Sequence, residues 1–296
     1  MQHVPRIQGE WTGDVWKAWC KLRSRTDLKM FVYDCDYGVG VIQKGHQDRV
    51  RIPNNATFNE FKINRKEWLN LIPYELPPVS ICIPTFEQYG FGVKSLTCLL
   101  NSLINQKGVF EILVSDNSDN QDIENLCKLY PVRYLHNPDK GISANTNNAI
   151  KNAKYDLIKI MYMDDIALSD TMAQDFARAL THSHWAISNA RAIDAYGIQT
   201  RVINSQYTEG IIKGKNTIGM PSVIGFRKNG ICFDRNLKTL LDCEFYWLLN
   251  KKYGLPAKIN KPLIGLRYWD GSTSRQQGNF TETEYKYLQD KWPELR

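Results

Sequence analysis

From Val79 to Tyr162 the chain switches repeatedly between two hydrophobic periods. Val79-Ser80-Ile81-Cys82-Ile83-Pro84 is a short apolar, β-branched run of buried-strand type. Residues 93–104 then place Val93, Leu96, Leu99, Leu100, Leu103 and Ile104 on one helical stripe. Glu111–Asp116 reads as a second strand. Asp119-Asn120 can cap a helix carrying Ile123, Leu126, Cys127 and Tyr130. Val132–Leu135 is a third strand, followed by a polar loop and a helix near Asn145–Ala153, and Leu157–Tyr162 is a fourth strand. Strands alternating with helices predict an α/β fold, a mainly parallel sheet with helices on both faces. In such sheets ligands bind at the carboxyl ends of the strands, which directs attention to the residues there.

Before this region the pattern is different. Gly13–Trp19 leads into a helix, and Phe31–Ile42 reads as strand, turn, strand around Gly38-Val39-Gly40. Prolines 73, 77 and 78 disfavour helix and mark an extended linker. The organisation expected is therefore a small N-terminal α/β extension over 1–72, a linker over 73–78 and a larger domain over 79–296. No internal repeat or low-complexity segment interrupts it.

Composition narrows the class. At 296 residues, 43% hydrophobic and 11% aromatic, the chain can bury a sizeable core and is not generally disordered. No apolar run approaches the roughly 18 residues that span a bilayer, and Met1–Arg6 lacks a secretory apolar stretch. A soluble, cytoplasmic protein is the expectation. The seven cysteines are odd in number and none has C-x-x-C spacing, so small core residues are expected rather than disulfides or zinc ligands. Of the formal net charge of +7, residues 211–275 alone carry +8 and residues 78–210 carry −3. A basic excess confined to one late segment suits a phosphorylated ligand better than a long nucleic-acid track.

The strand ends supply the candidate chemistry. The fourth strand ends in Met163-Asp164-Asp165. Two adjacent carboxylates leaving a buried strand repel each other, and a divalent cation relieves that repulsion; a simple turn would carry the same residues. Thr85-Phe86-Glu87 ends the first strand and Ser115-Asp116-Asn117-Ser118 the second. A carboxylate here can accept hydrogen bonds from a base or ribose, and a polar turn explains it equally. Asp139–Asn148 precedes a helix and could turn backbone N–H groups toward an anion, as any capped helix start does.

The order of these pieces is more specific than any one of them. It runs Ile-Pro-Thr, Asp-Asn-Ser, Gly-Ile-Ser-x-x-x-Asn, then a hydrophobic strand ending in Asp-Asp. In that order and spacing, residues 78 to 275 resemble the family 2 glycosyltransferases, with the GT-A (nucleotide-diphospho-sugar transferase) fold. Ile218–Val223, with Pro221 and Ser222, looks like the family's acceptor-side segment. Leu241-Asp242-Cys243-Glu244 looks like its acidic helix start, and Leu266–Ser274, with Trp269 and Asp270, like its closing motif. The resemblance implies that Thr85 and Asp116, with Glu87 and Asn117 beside them, meet the nucleotide. Gly141 and Asn147 would contact it from the following loop. Asp164 and Asp165 would hold Mg²⁺ or Mn²⁺ against the diphosphate. Asp242 would act as general base on an acceptor hydroxyl, with inversion, and Pro221, Ser222, Glu244, Trp269 and Asp270 would lie on the acceptor side. A helix cap is the plainer explanation of Asp242. The implied partners are a nucleotide sugar, a UDP-sugar favoured, and a glycan, lipid-phosphate or other hydroxyl acceptor; nucleic acid is not favoured.

The chain departs from the family at three places. Trp269 stands where a metal-binding His is frequent, Thr146 where Arg is common, and Asn117 where a second Asp is common. The Trp269 replacement leaves open a non-catalytic sugar or nucleotide binder. A nucleotidyltransferase would carry a Gly-rich loop with Lys or Arg after the first strand, where Thr85-Phe86-Glu87-Gln88 stands instead. Part of residues 1–72 looks like the C-terminal stretch of class I S-adenosylmethionine-dependent methyltransferases. The glycine-rich cofactor loop of those enzymes is absent, so Gly38-Val39-Gly40 is expected to be a turn and no methyl transfer is expected.

Overall fold

The computed structural model describes residues 15–34, 38–73, 75–87, 90–268 and 281–296. They fall into two compact units, Met1–Glu75 and Leu76–Arg296.

The first unit comprises α1 (Val15–Leu22), β1 (Leu28–Asp34), β2 (Val39–Lys44), α2 (Phe58–Leu69) and β3 (Leu71–Pro73). β1 is the central strand, antiparallel to β2 and parallel to β3. Its core is aromatic: Trp16 stacks on Phe61 at 4.6 Å, with Trp68 packed behind. α2 is absent from the periodicity reading, yet its start was legible as Thr57-x-x-Glu60. The Thr57 hydroxyl accepts from the Glu60 amide, and the Glu60 carboxylate accepts from the Thr57 amide at 2.7 Å, a capping box. Pro73, expected to open the linker, instead ends the strand Leu71–Pro73, and it is tolerated because β3 lies on the sheet edge. Gly40 packs under Trp19, whose ring would sit 2.6 Å from an added Cβ. That contact accounts for the glycine without a nucleotide.

In the second unit, β4 (Val79–Thr85) is buried along its whole length. It is followed by α3 (Gly92–Leu103), β5 (Phe110–Asp116), α4 (Asp122–Cys127), β6 (Arg133–His136), α5 (Ile142–Asn152) and β7 (Leu157–Ile160). Then come β8 (Ile166–Ala167), α6 (Met172–His182), β9 (Trp185–Ile193), β10 (Gln199–Ile203), β11 (Ile224–Arg227), α7 (Leu241–Tyr253), β12 (Ala257–Arg267) and α8 (Thr281–Lys291). The sheet order is β6-β5-β4-β7-β11-β9-β12-β8, with β10 beside β9. The expected parallel pairing holds from β6 to β7. Beyond β7 it gives way: β11 is antiparallel to both β7 and β9, and β12 to β8. The helix start expected at Leu241 is that of α7, whereas β8 to β10 and α6 were not read from the sequence, because β9 is buried on both faces over Trp185–Ser188 and shows no clean alternation.

Helix α5 begins at Ile142, three residues earlier than its apolar positions indicate, because Gly141 turns the chain at φ +104° directly before it. Cys20, Cys82, Cys127 and Cys243 are buried as expected, while Cys98 and Cys232 are exposed; Cys35 lies outside the described residues. Among the described residues no helix is long and apolar enough to cross a membrane.

Candidate active site

The parallel strands end level with one another: Thr85 is paired with Asp116, and Asp116 with His136. A cavity of about 650 Å³ opens over these ends. Thr85, Glu87, Asn117, Gly141, Asp164 and Asp165 line it from the parallel half, and Pro221 and Asp242 from the later segment. Residues far apart in sequence are thus brought to one hollow.

The other named residues lie elsewhere or serve the frame. Asp116 is fully buried beneath the cavity. Its carboxylate accepts from the Ser118 amide and hydroxyl (3.0 and 2.5 Å) and from Tyr134 Oη at 3.0 Å. Glu87 caps α3, accepting from the Gly92 and Val93 amides at 3.2 and 3.0 Å. Asn147 faces away, pairing with both backbone groups of Phe233 and lining a second hollow with Lys228 and Arg235. Ser222 is buried, its hydroxyl accepting from the Tyr162 amide at 2.8 Å. Glu244 is a correction: it accepts from Lys291 Nζ at 2.7 Å and Trp292 Nε1 at 2.8 Å, tying α7 to the C-terminal helix rather than facing the cavity. Trp269 and Asp270 lie outside the described residues.

Asn145 was missed as a hub. Its amide donates to the carbonyls of Thr85 (2.9 Å) and Ser115 (2.8 Å), and its oxygen accepts from Ser115 Oγ at 2.7 Å. It locks α5 onto the ends of β4 and β5, the task for which an asparagine at that helix position was the signal. Three cations also reach the cavity wall: Lys140, Lys238 and Arg267. Arg267 donates to the carbonyls of Asp164, Asp194 and Ala195 at 2.7, 3.0 and 2.9 Å.

Burial sets the electrostatics. The Asp165 carboxyl is held well above the ordinary range, first by burial and then by the charge of Asp164. Its Oδ1 accepts from the Arg267 amide at 2.9 Å, while its buried Oδ2 has no hydrogen-bond partner. The Ser222 hydroxyl nearby favours the ionised form without closing a bond of normal geometry. Lys159 is buried in β7, its ammonium donating to the carbonyls of Ile160 (2.6 Å) and Ser222, and burial pulls its pKa far down.

Asp242 stands in the first turn of α7, only 8% exposed. Burial pushes it up to about 6, against the pull of the Cys243 amide (2.7 Å) and Asn216 Nδ2 (2.8 Å). It is not the helix cap. That position is Leu240, which caps nothing itself. Glu284 from α8 takes the amides of Lys238, Thr239 and Leu240 instead. Glu284 thus holds the residues entering α7, while Asp242 accepts from the first-turn Cys243 amide with one oxygen and keeps its place on the cavity wall. Asn216 also lines the cavity and was invisible in the sequence, lying in coil 26 residues before its partner.

An open α/β sheet with a polar hollow at its strand ends, two adjacent carboxylates and a buried carboxylate across from them is the layout of a GT-A fold. The family model described as Glycosyl transferase family 2 matches residues 80–219. That segment, just under half of the chain, is similar to a family 2 glycosyltransferase domain. The chain is 24% identical over 215 residues to an uncharacterized glycosyltransferase of Rickettsia felis and to another of Rickettsia conorii. The match covers 68% of this chain in each case, but only 35% and 34% of those relatives, so the chain spans about a third of their length. Among solved structures, S. aureus TarS residues 1–349 in complex with UDP-GlcNAc superpose with a TM-score of 0.54 at 19% identity. That alignment covers 67% of this chain and 61% of the TarS 1–349 chain. The same protein in complex with UDP gives a TM-score of 0.51 at 19% identity, over 65% and 61%.

Proposed function

We propose that this chain transfers a glycosyl group from a nucleotide sugar, with a UDP-sugar favoured, to an acceptor hydroxyl with inversion. The observation that carries the reading is the meeting of Asp164, Asp165 and Asp242 on one cavity. The family-model match and the UDP and UDP-GlcNAc complexes of TarS support the donor class.

In this reading the acceptor oxygen attacks the anomeric carbon as the bond from that carbon to the diphosphate oxygen breaks. Asp242 takes the acceptor's proton in the transition state. A base raised to about 6 remains ionised at neutral pH and is matched closely to that task. Asn216 and the Cys243 amide hold its two oxygens in place. Thr85, Asn117 and Gly141 form the nucleotide side, where the start of α5 turns its first amides toward a phosphate. Lys140, Lys238 and Arg267 add positive charge around the leaving group.

Asp164 and Asp165 fit a divalent cation, Mn²⁺ or Mg²⁺. Asp165 Oδ2 is buried without a partner, and the two charges raise each other's cost. Among the described residues no third His, Cys, Asp or Glu completes a cluster with them. A bound cation would stabilise the charge growing on the diphosphate. The acceptor class is a glycan, a lipid phosphate or another hydroxyl compound, and the place of work the cytoplasm.

The deciding experiment is a thermal-shift panel of nucleoside diphosphates and nucleotide sugars, with and without Mn²⁺, followed by turnover of the stabilising donor. A ligand bound only by the native state raises stability with the logarithm of its concentration over Kd. Stabilisation by UDP and a UDP-sugar that grows with Mn²⁺ is expected. Binding of a nucleotide sugar with no turnover would favour the non-catalytic alternative.

A further inference from the structure

The start of α7 is held by a side chain from another helix, and that arrangement reaches the proposed base. Glu284 is 7% exposed. Its Oε1 accepts from the Lys238 amide at 2.8 Å and the Thr239 amide at 3.2 Å. Its Oε2 accepts from the Thr239 amide at 3.0 Å and the Leu240 amide at 2.8 Å. The Leu240 amide is one of the unpaired amides at the start of α7 and those of Lys238 and Thr239 lie just before it, so one buried carboxylate pins the chain as it enters the helix. Farther along, Lys291 Nζ bridges Glu244 (2.7 Å) and Asp234 (2.6 Å), and Tyr287 Oη donates to Asp234 at 2.8 Å. Helix α8 therefore grips the segment 234–244 at both ends. The part between the grips, residues 238–243, forms one wall of the cavity.

We propose that Glu284 is a positioning residue for Asp242: by capping α7 from outside, it fixes the first turn so that the Asp242 carboxylate stays buried at the cavity wall. This rests on the reading of Asp242 as the base. The N-cap residue Leu240 makes no side-chain cap bond, so the amides of 238–240 depend on Glu284. Asp242 itself is bonded by Asn216 and the Cys243 amide, and the titratable groups beside it are Tyr162, Tyr246 and Cys243, each of which its charge pushes up. Loosening the turn lets water reach the carboxylate, and burial is the main reason for its raised value.

The test is Glu284→Gln, which keeps the shape but loses the charge and one accepting oxygen. The Asp242 carboxyl is followed by carbon-13 NMR in the full chain without substrate, its signal identified by its loss in Asp242→Asn. The midpoint is expected to fall from about 6 by about one unit or more toward the ordinary carboxylate value of about 3.9. Amide exchange at 238–240 should quicken at the same time. A purely structural role lowers the melting temperature and leaves the midpoint unmoved, and that outcome in a folded protein overturns the proposal. Glu284→Asp, which keeps the charge, reads the same shift at smaller size if the Gln protein loses its fold. The base reading fails separately, by normal turnover in Asp242→Asn, and that result leaves the titration arm intact.

Discussion

The two walls of the cavity are built by different means. The wall formed by β4, β5, β7 and the start of α5 takes its residues from strand ends held level by the parallel ladder. Each lies at the end of an apolar run, and the sheet places it with no further instruction. The wall formed by residues 214–243 contains no such ladder. Asn216 sits in coil, Pro221 opens a short 3-10 turn, and the start of α7 is capped from 44 residues away in sequence. The first wall follows from local pattern and hydrogen-bonded register, the second from individual long-range contacts. Loss of one side chain should therefore disturb the second wall more locally and more completely.

The comparison is broken most sharply at Asp242. Asp242→Asn should lower turnover by about 10²–10⁴, the usual range for a positioned base, with donor affinity unchanged. Turnover and donor Kd on the same folded sample check this, and near-normal turnover would move the base elsewhere. On the opposite wall, Asp165→Asn should lower turnover by about 10²–10³, the scale of one lost charge-stabilising group. It should also abolish any extra thermal stabilisation by nucleotide in Mn²⁺; full activity in EDTA would end the metal role.

A pH profile sharpens the same contrast. The Asp242 carboxyl must be ionised to accept a proton, so activity should fall below pH about 6, roughly tenfold per unit. The sign for stability is opposite. Because the folded value lies above the unfolded one, the group's contribution favours the folded state at low pH and is lost as pH rises from about 4 through about 6. An acid limb that persists unshifted in Asp242→Asn would assign it to another group.

Asn145→Ala tests the ladder wall by its lock. It removes one donor each from the buried Thr85 and Ser115 carbonyls, the first of which keeps the Asn117 amide, a loss of about 1–3 kcal/mol in stability measured by denaturant unfolding. The smallest effect is expected from removing residues 1–75. Every described residue lining the cavity lies between Pro84 and Arg267, so nucleotide binding should survive in a folded Leu76–Arg296 protein. Loss of binding there would show that the first unit builds part of the site.

Much of this was legible in the residues alone. The apolar runs at 79–84, 111–116 and 157–160 are strands because β-branched and aliphatic side chains fill a sheet buried on both faces. Their polar ends, Thr85, Asp116 and Asp164-Asp165, lie at the cavity or directly beneath it for that reason. What the tertiary structure alone decided is the use of each polar group. Glu87 became a cap, Asp116 a buried strut, Glu244 an anchor for α8 and Asn147 a tie to Phe233. Asn216 and Glu284 took up the duties that leave Asp242 facing the cavity. Hydrophobic periodicity is a property of neighbours along the chain, so sequence carries it directly. A hydrogen bond to a carboxylate depends on which amide or side chain arrives within about 3 Å, and for these residues the partner comes from a distant segment whose position only the packed fold sets.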